Sequence, residues 1–331
     1  MQMISSLHTL NPKEMVRLSE TFGRVLLTGG AGFVGSQLLR RLEPVSEHIY
    51  VIDDLSAGSR DAVIESEKVT FYEECYTNEE LLREILPRVQ WIFHLACRSL
   101  TLSVTDMAED YRVNLFGAYK LLERTRAWCP GLQRLIYTST ASVYGNAPVR
   151  PTPESYYQVT TPYSASKMAA EHYVHVYWHQ YRMPVTIVRL SNVFGPGQLA
   201  ANPYCGVVAK FFEALDRKEP FTIYGDGRQT RDFSYIEDVV EAILLAATHP
   251  NSVGKLYNIG TGIETSVREL AGHVAAVAGM ADYPTVSIPK RQIDHIVHRS
   301  VDSRLIRREL QWKPRHTLVE GLEKTYRWLH A

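Results

Sequence analysis

The stretch Arg24-Val-Leu-Leu-Thr-Gly-Gly-Ala-Gly-Phe-Val-Gly35 decides how the rest of the chain is read. An apolar strand (Val25, Leu26, Leu27) runs into a turn whose glycines, Gly29, Gly32 and Gly35, recur at every third position. An amphipathic helix, Ser36 to Leu42, follows at once, and a second strand, Ile49 to Ile52, ends on Asp53-Asp54. Glycine is needed first for the tight turn, next so that backbone can approach a pyrophosphate, and last for helix–strand packing. The start of the helix offers unpaired N–H groups and a positive dipole end to phosphates. Asp53, about 20 residues beyond the loop, is spaced to accept hydrogen bonds from an adenosine ribose, and its charge would repel a 2′-phosphate. Phe33 and Val34 complete the loop, and Asp54 stands beside the ribose position. Strand, glycine loop, helix, strand and acid together predict an NAD site.

Bulk properties bound the rest. Acidic and basic residues balance at 36 each in 331 residues, so no single-sign field favours nucleic acid or an anionic membrane. No apolar run is long enough to span a membrane, and Met1 to Glu20 lacks the apolar core of a secretory signal. Cys75, Cys97, Cys129 and Cys205 are far apart and form no C-x-x-C, which predicts reduced thiols and a cytoplasmic location.

Residues 1–23 form an N-terminal extension in which Asn11-Pro12 reads as a helix start, with Met15, Val16 and Leu18 on one face. From Arg24 onward strand and helix alternate. Strands are expected at Val25–Leu27, Ile49–Ile52, Val69–Tyr72, Trp91–Leu95, Arg134–Tyr137, Val185–Arg189 and Lys255–Ile259. Most are continuous apolar runs, as for strands covered on both faces. Helices are expected at Glu79–Leu86, Ala108–Trp128, Ser164–Tyr181 and Glu237–Thr248. The alternation predicts an α/β fold with a doubly wound parallel sheet. The pattern loosens around Gly195–Gly227 and after Gly262, which places the cofactor domain at 24–194 with 228–260 and a smaller substrate lobe at 195–227 with 261–331.

Tyr163-Ser-Ala-Ser-Lys167 opens the helix after Pro162. Residues four apart share a helix face, so phenol and ammonium can enter one cleft. A nearby cation favours phenolate, which predicts a lowered tyrosine pKa and an acid/base near neutral pH. Leu135-Ile-Tyr-Thr-Ser-Thr-Ala-Ser-Val-Tyr-Gly145 ends a strand at the sheet edge where open α/β sheets bind ligands, bringing Thr138, Ser139, Thr140 and Ser142 to its mouth. Thr138 and Ser139 also read as turn and cap residues. Asp238, near a helix start, reads as structural. His172, His175 and His179 on one helix invite a metal reading, but Tyr173, Val174 and Tyr177 suit a helix–helix interface better, and no metal is expected.

Jointly these motifs resemble the extended short-chain dehydrogenase/reductase family, in the branch acting on nucleotide sugars. The likeness rests on the glycine loop, His94-Leu95-Ala96, Asn114 in Tyr-Arg-Val-Asn-Leu-Phe-Gly, Val143-Tyr144-Gly145, Tyr163 with Lys167, Arg189-Leu-Ser-Asn-Val-Phe-Gly-Pro196, Tyr224-Gly-Asp-Gly-Arg-Gln-Thr-Arg-Asp-Phe233 and Tyr257-Asn-Ile-Gly260. It implies a Rossmann-type domain with a smaller C-terminal lobe, with Leu95, Ala96 and Asn114 among the NAD contacts. It implies Tyr163 as catalytic acid/base, Lys167 lowering its pKa and holding the nicotinamide ribose, and Thr140 beside the reacting hydroxyl. Asn192, Arg231 and Arg291 would meet the substrate diphosphate, and Thr140 and Ser142 the sugar. A homodimer through Ala108–Trp128 and the Tyr163 helix is implied as well. Two departures stand out: Glu73-Glu74-Cys75 replaces the Gly-Asp that contacts adenine, and Gly195-Pro196-Gly197-Gln198 lacks one basic residue.

Related dehydratases and decarboxylases carry an acid just after the catalytic Ser/Thr. Here those positions are Ala141 and Ser142. The expectation is therefore a UDP-hexose 4-epimerase that passes through a 4-keto sugar and keeps its NAD, with UDP-glucuronate as the second sugar. Leu199, where glucuronate epimerases place an Arg, favours a neutral hexose, and His295-Ile-Val-His-Arg299 lies near the position that gates sugar size. A dehydratase, a reductase that releases its cofactor, and a non-catalytic NAD-binding protein are the alternatives.

Overall fold

The computed structural model describes residues 22–198, 206–280, 282–291 and 295–331. The readings at Asn11–Leu18, Leu199 and Cys205 lie outside the described residues. The strands are β1 (Phe22–Thr28), β2 (Ser46–Asp53), β3 (Val69–Glu73), β4 (Trp91–His94), β5 (Arg134–Thr140), β6 (Val185–Leu190), β7 (Asn192–Phe194), β8 (Phe221–Tyr224), β9 (Thr230–Arg231), β10 (Phe233–Tyr235), β11 (Leu256–Ile259), β12 (Thr265–Ser266) and β13 (Thr285–Ile288). The helices are α1 (Phe33–Leu42), α2 (Glu79–Ile85), α3 (Leu100–Thr105), α4 (Met107–Asp110), α5 (Ala118–Trp128), α6 (Pro162–Tyr181), α7 (Val207–Asp216), α8 (Ile236–Thr248), α9 (Val267–Val277), α10 (Arg304–Leu310) and α11 (Leu318–Leu329).

All seven strands expected from the apolar runs join one parallel sheet, in the order β3-β2-β1-β4-β5-β6-β11. Side chains alternate across a strand, so β1 feeds two cores. Val25 and Leu27 pack with Leu38 and Leu42 of α1 and Val239 and Ile243 of α8. Leu26 packs on the other face with Leu82 of α2, Leu121 of α5 and Val174 of α6. This double burial explains why the strands read as unbroken apolar runs. Chain order reverses between β1 and β4, and that switch point opens a crevice at the carboxyl edge. Outside the sheet, β13 pairs with β8 and β12 with β9, beside α7 and α9.

One expected helix is not uniform. Within Ala108–Trp128, residues Tyr111–Gly117 form a π-helical segment between α4 and α5. The buried Tyr76 hydroxyl donates to the Val113 carbonyl, and a Cβ on Gly117 would collide with that phenol. A side chain inserted into the helical ladder accounts for the widened turn.

Candidate active site

The ends of β1 and β4 open into a cavity of about 430 Å³ lined by Gly29, Asp53, Leu95, Ala96, Thr140 and Tyr163, among others. Gly29 adopts φ +75°, and a Cβ there would stand 2.5 Å from the Ala96 amide nitrogen. A Cβ on Gly35 would overlap the Gly29 carbonyl, so α1 can approach the loop only as glycine. Gly32 caps α1 without a side-chain hydrogen bond, and no acidic residue occupies the first turn. Phe33, Val34 and Gly35 therefore present the amides of the first turn and the positive helix end to the cavity. That cradle suits a pyrophosphate.

Asp53 and Asp54 line the same cavity. Asp53 accepts hydrogen bonds from the Ala31 amide at 2.9 Å and the Leu55 amide at 3.0 Å, so it also braces the glycine loop. Burial pushes its carboxyl upward against those hydrogen bonds. Glu74 lines the cavity where the adenine contact was in question, while Cys75 Sγ lies 3.1 Å from Thr77 Oγ1. Asn114 is placed differently from a direct cofactor contact. It is buried, bonds the Arg98 backbone at both amide and carbonyl, and donates to Asp110 at 2.7 Å. It is not among the residues lining the cavity, whereas Arg98, which it holds, is.

Tyr163, which α6 carries, lines the same cavity. Thr161 and Ser164 form a capping box with Pro162 at the first helical position, which fixes where Tyr163 emerges. Tyr163 and Thr140 line the cavity together. Thr140 Oγ1 also accepts from the Ser142 amide at 3.1 Å. Lys167, 2 % exposed, holds Nζ 4.3 Å from the centroid of the Tyr137 ring. The expected lowering of the phenol pKa is corrected here. Burial raises the Tyr163 phenol well above its ordinary value, Cys97 adds to this, and the Thr140 hydrogen bond opposes it. Burial likewise lowers the Lys167 ammonium. Desolvation outweighs the helical neighbour.

Of the residues read as substrate contacts, Thr140 and Asn192 line the cavity, whereas Ser142, Arg231 and Arg291 are not among its lining residues. Asn192 in β7 lines the cavity. Arg231 in β9 donates to the Thr230 carbonyl at 2.7 Å, and the Arg291 guanidinium carbon sits 4.4 Å from the centroid of the Tyr224 ring. Ser142 is buried in the short turn after β5, beside Ala141. Thr138 donates to the His94 carbonyl at 2.9 Å. Asp238 holds the His316 amide and ring across 78 residues, a tertiary anchor as well as a helix-start carboxylate. His172 and His179 are exposed, and among the described residues no cluster of three metal-binding side chains occurs.

Residues 25–260 match the family described as NAD dependent epimerase/dehydratase. The chain belongs to that family. A UDP-glucose 4-epimerase of Mycolicibacterium smegmatis is 36% identical over 313 residues, covering 91% of this chain and 97% of that protein. A dTDP-D-glucose 4,6-dehydratase of Mus musculus is 32% identical, with coverages of 92% and 88%. Among solved structures, a UDP-glucose 4-epimerase from Thermotoga maritima with UDP-glucose superposes with a TM-score of 0.87 at 33% identity, covering 93% and 98% of the two chains. A Thermus thermophilus UDP-glucose 4-epimerase complexed with NAD gives a TM-score of 0.83 at 34% identity, with coverages of 93% and 99%.

Four buried charges of this NAD-dependent family member were given no role by the sequence reading. Arg189 of β6 and Glu171 of α6 form a bidentate pair with contacts of 2.6 to 3.2 Å, both nearly inaccessible. Asp232 accepts from the Thr261 and Gly262 amides at 2.9 Å and from Val301 at 3.2 Å, pinning the segment that follows Arg299. Arg299 itself, noticed only as part of a size-gating stretch, points its Nη1 at Ser142 Oγ, 3.4 Å away.

Proposed function

We propose that this chain is an NAD-dependent nucleotide-sugar 4-epimerase working through a transient 4-keto sugar. The carrying observation is that Tyr163 and Thr140 line one cavity while the next two positions after Thr140, Ala141 and Ser142, bear no carboxylate. Elimination at C5 and C6 needs an acid and a base beyond the tyrosine; interconversion at C4 does not. NAD, when bound in the glycine cradle, supplies a reversible hydride acceptor at the sugar carbon. Tyr163 takes the proton of the C4 hydroxyl and later restores it. Thr140 holds that hydroxyl and the phenol in line, and the buried Lys167 cation steadies the phenolate as it forms.

The reading includes the division into a cofactor domain (24–194 with 228–260) and a substrate lobe (195–227 with 261–331), with Asn192, Arg231 and Arg291 on the diphosphate. It also includes a homodimer, supported by an exposed aromatic run on the π segment, α5 and α6. Tyr111 stacks on Phe116, Phe116 lies against Tyr119, and Tyr119 against Tyr173. Sedimentation should give a dimer, and a monomer at micromolar concentration would remove that part. The free thiols of Cys75, Cys97 and Cys129 support a cytoplasmic site of action, and no described helix is long and apolar enough to cross a membrane.

The decisive test is Tyr163→Phe. Turnover should fall by about 10²- to 10⁴-fold, with NAD still co-purifying and the melting temperature preserved. Unchanged conversion to the 4-epimer, or a 4-keto-6-deoxy product from the native enzyme, would sink the assignment.

A further inference from the structure

Arg299 is 9 % exposed, yet among the described residues no carboxylate lies within ion-pair distance of it. Its hydrogen-bond partner is Ser142 Oγ at 3.4 Å, and among the described residues its Nε has none. The groups whose fields it feels most are Arg231, a like charge, and Tyr163. Burial and Arg231 together push its pKa down to about 9, so it is still a cation at neutral pH.

The other buried arginines among the described residues have more partners, although the Nε of Arg134 is likewise unpartnered. Arg189 has Glu171. Arg134 donates to the Thr186 and Ser252 hydroxyls and to the Ala246 and His249 carbonyls, where the negative end of α8 helps to carry its charge. A buried cation without such partners costs several kcal/mol on the usual scale, so it persists where a ligand completes it.

Nor is its placement loose. The Asn146 side chain donates to the His295 carbonyl at 2.9 Å and accepts from the Val297 amide at 2.8 Å. On the other side, Thr152 brackets Ser300 and Asp302 through two backbone hydrogen bonds of 2.9 Å. The guanidinium is thus held in advance beside Ser142, one turn of backbone from Thr140 and within the field of Tyr163.

We propose that Arg299 is a specificity-determining residue that pairs with a carboxylate on the sugar, so that the preferred substrate is a nucleotide-diphosphate sugar acid and not a neutral hexose. The inference rests on the nucleotide-sugar reading above and reverses its neutral-sugar expectation. A neutral sugar would leave the buried cation unpaired in the complex, and sites of that kind discriminate strongly. The carboxylate can sit at C6 or on a lactyl ether at C3, since both positions neighbour the C4–C5 region that Tyr163 and Thr140 address.

The test compares kcat/KM of the full-length protein with UDP-glucuronate, UDP-N-acetylmuramate and UDP-glucose, which share one nucleotide, and identifies products by NMR. One of the two acids should be preferred over UDP-glucose by about 10²-fold or more; which one distinguishes C6 from C3. Arg299→Met should erase that preference while leaving the affinity for UDP alone unchanged, and Arg299→Lys should restore part of it. Arg299→Met that melts below the native protein would be replaced by Arg299→Lys alone, read by the same acid-to-hexose ratio. Turnover of UDP-glucose at least equal to both acids, with a ratio indifferent to Arg299, overturns this inference and leaves the epimerase reading standing. Loss of CO₂ from UDP-glucuronate, with no 4-epimer, keeps the Arg299 inference and overturns the epimerase reading.

Discussion

Arg189 and Arg299 are both buried, both lie within reach of the turn that follows β5, and differ in what surrounds them. Arg189 is clamped by Glu171 and also donates to the Tyr144 hydroxyl at 3.0 Å and the Glu154 carbonyl at 2.8 Å. Tyr144 in turn bonds Asn258 of β11, so one charge network ties α6, β6, β11 and the turn together. Arg299 has one long contact to Ser142 and an orphaned Nε. The first arrangement satisfies its own charge and therefore reads as framework under the catalytic helix. The second is complete only when something anionic arrives. A buried charge is informative through its partners, not through its burial.

Breaking the framework side should have the largest effect. Glu171→Gln leaves Arg189 buried without its counter-charge, and the loss expected is about 3–5 kcal/mol in denaturant unfolding. A change below 1 kcal/mol would mean that the pair contributes little and that the contrast with Arg299 is misdrawn.

A second test uses a buried base that avoids the problem by staying neutral. His94, bonded to Thr28 Oγ1 at 2.7 Å, has its pKa lowered from 6.5 to about 3, first by burial and then by the Lys167 cation. Because the folded value is depressed, its contribution is complete above pH 6.5 and is lost as pH falls toward 3. Stability should drop by about 2 kcal/mol from this source by pH 5. Urea midpoints measured across that range should fall less steeply for His94→Asn. Parallel curves would show that His94 does not hold the shifted pKa.

Smallest in size, but opposite in sign, is the expectation for the unpaired arginine. Arg299→Met should leave stability unchanged or raise it by about 1 kcal/mol, since it removes a charge that no carboxylate among the described residues compensates. A loss of several kcal/mol on unfolding would assign Arg299 to the framework beside Arg189.

Much of this was legible from residue order alone. Seven strands followed from apolar runs because a strand covered on both faces has no polar side to interrupt it. The glycine loop is read from its spacing, and at Gly29 and Gly35 the close backbone leaves no room for a Cβ. Tyr163 and Lys167 were paired by helix periodicity, and Pro162 with Thr161 marked where that helix begins. The π segment was not legible, because Tyr76 meets Val113 across 37 residues. Asn114 reads as a cofactor contact from its local motif, whereas its hydrogen bonds to the Arg98 backbone reach across 16 residues, which the motif does not show.

The sequence by itself determined the doubly wound sheet, the dinucleotide loop and the tyrosine–lysine face, all of which depend on residues close together in the chain. Only the tertiary structure decided the electrostatics. The direction of the Tyr163 shift depends on desolvation, and the significance of Arg299 depends on a contact with Ser142 spanning 157 residues and on the absence of any carboxylate beside it among the described residues. Periodicity encodes which face a side chain takes; it carries no record of how much water is removed from around it or which distant charge is brought near.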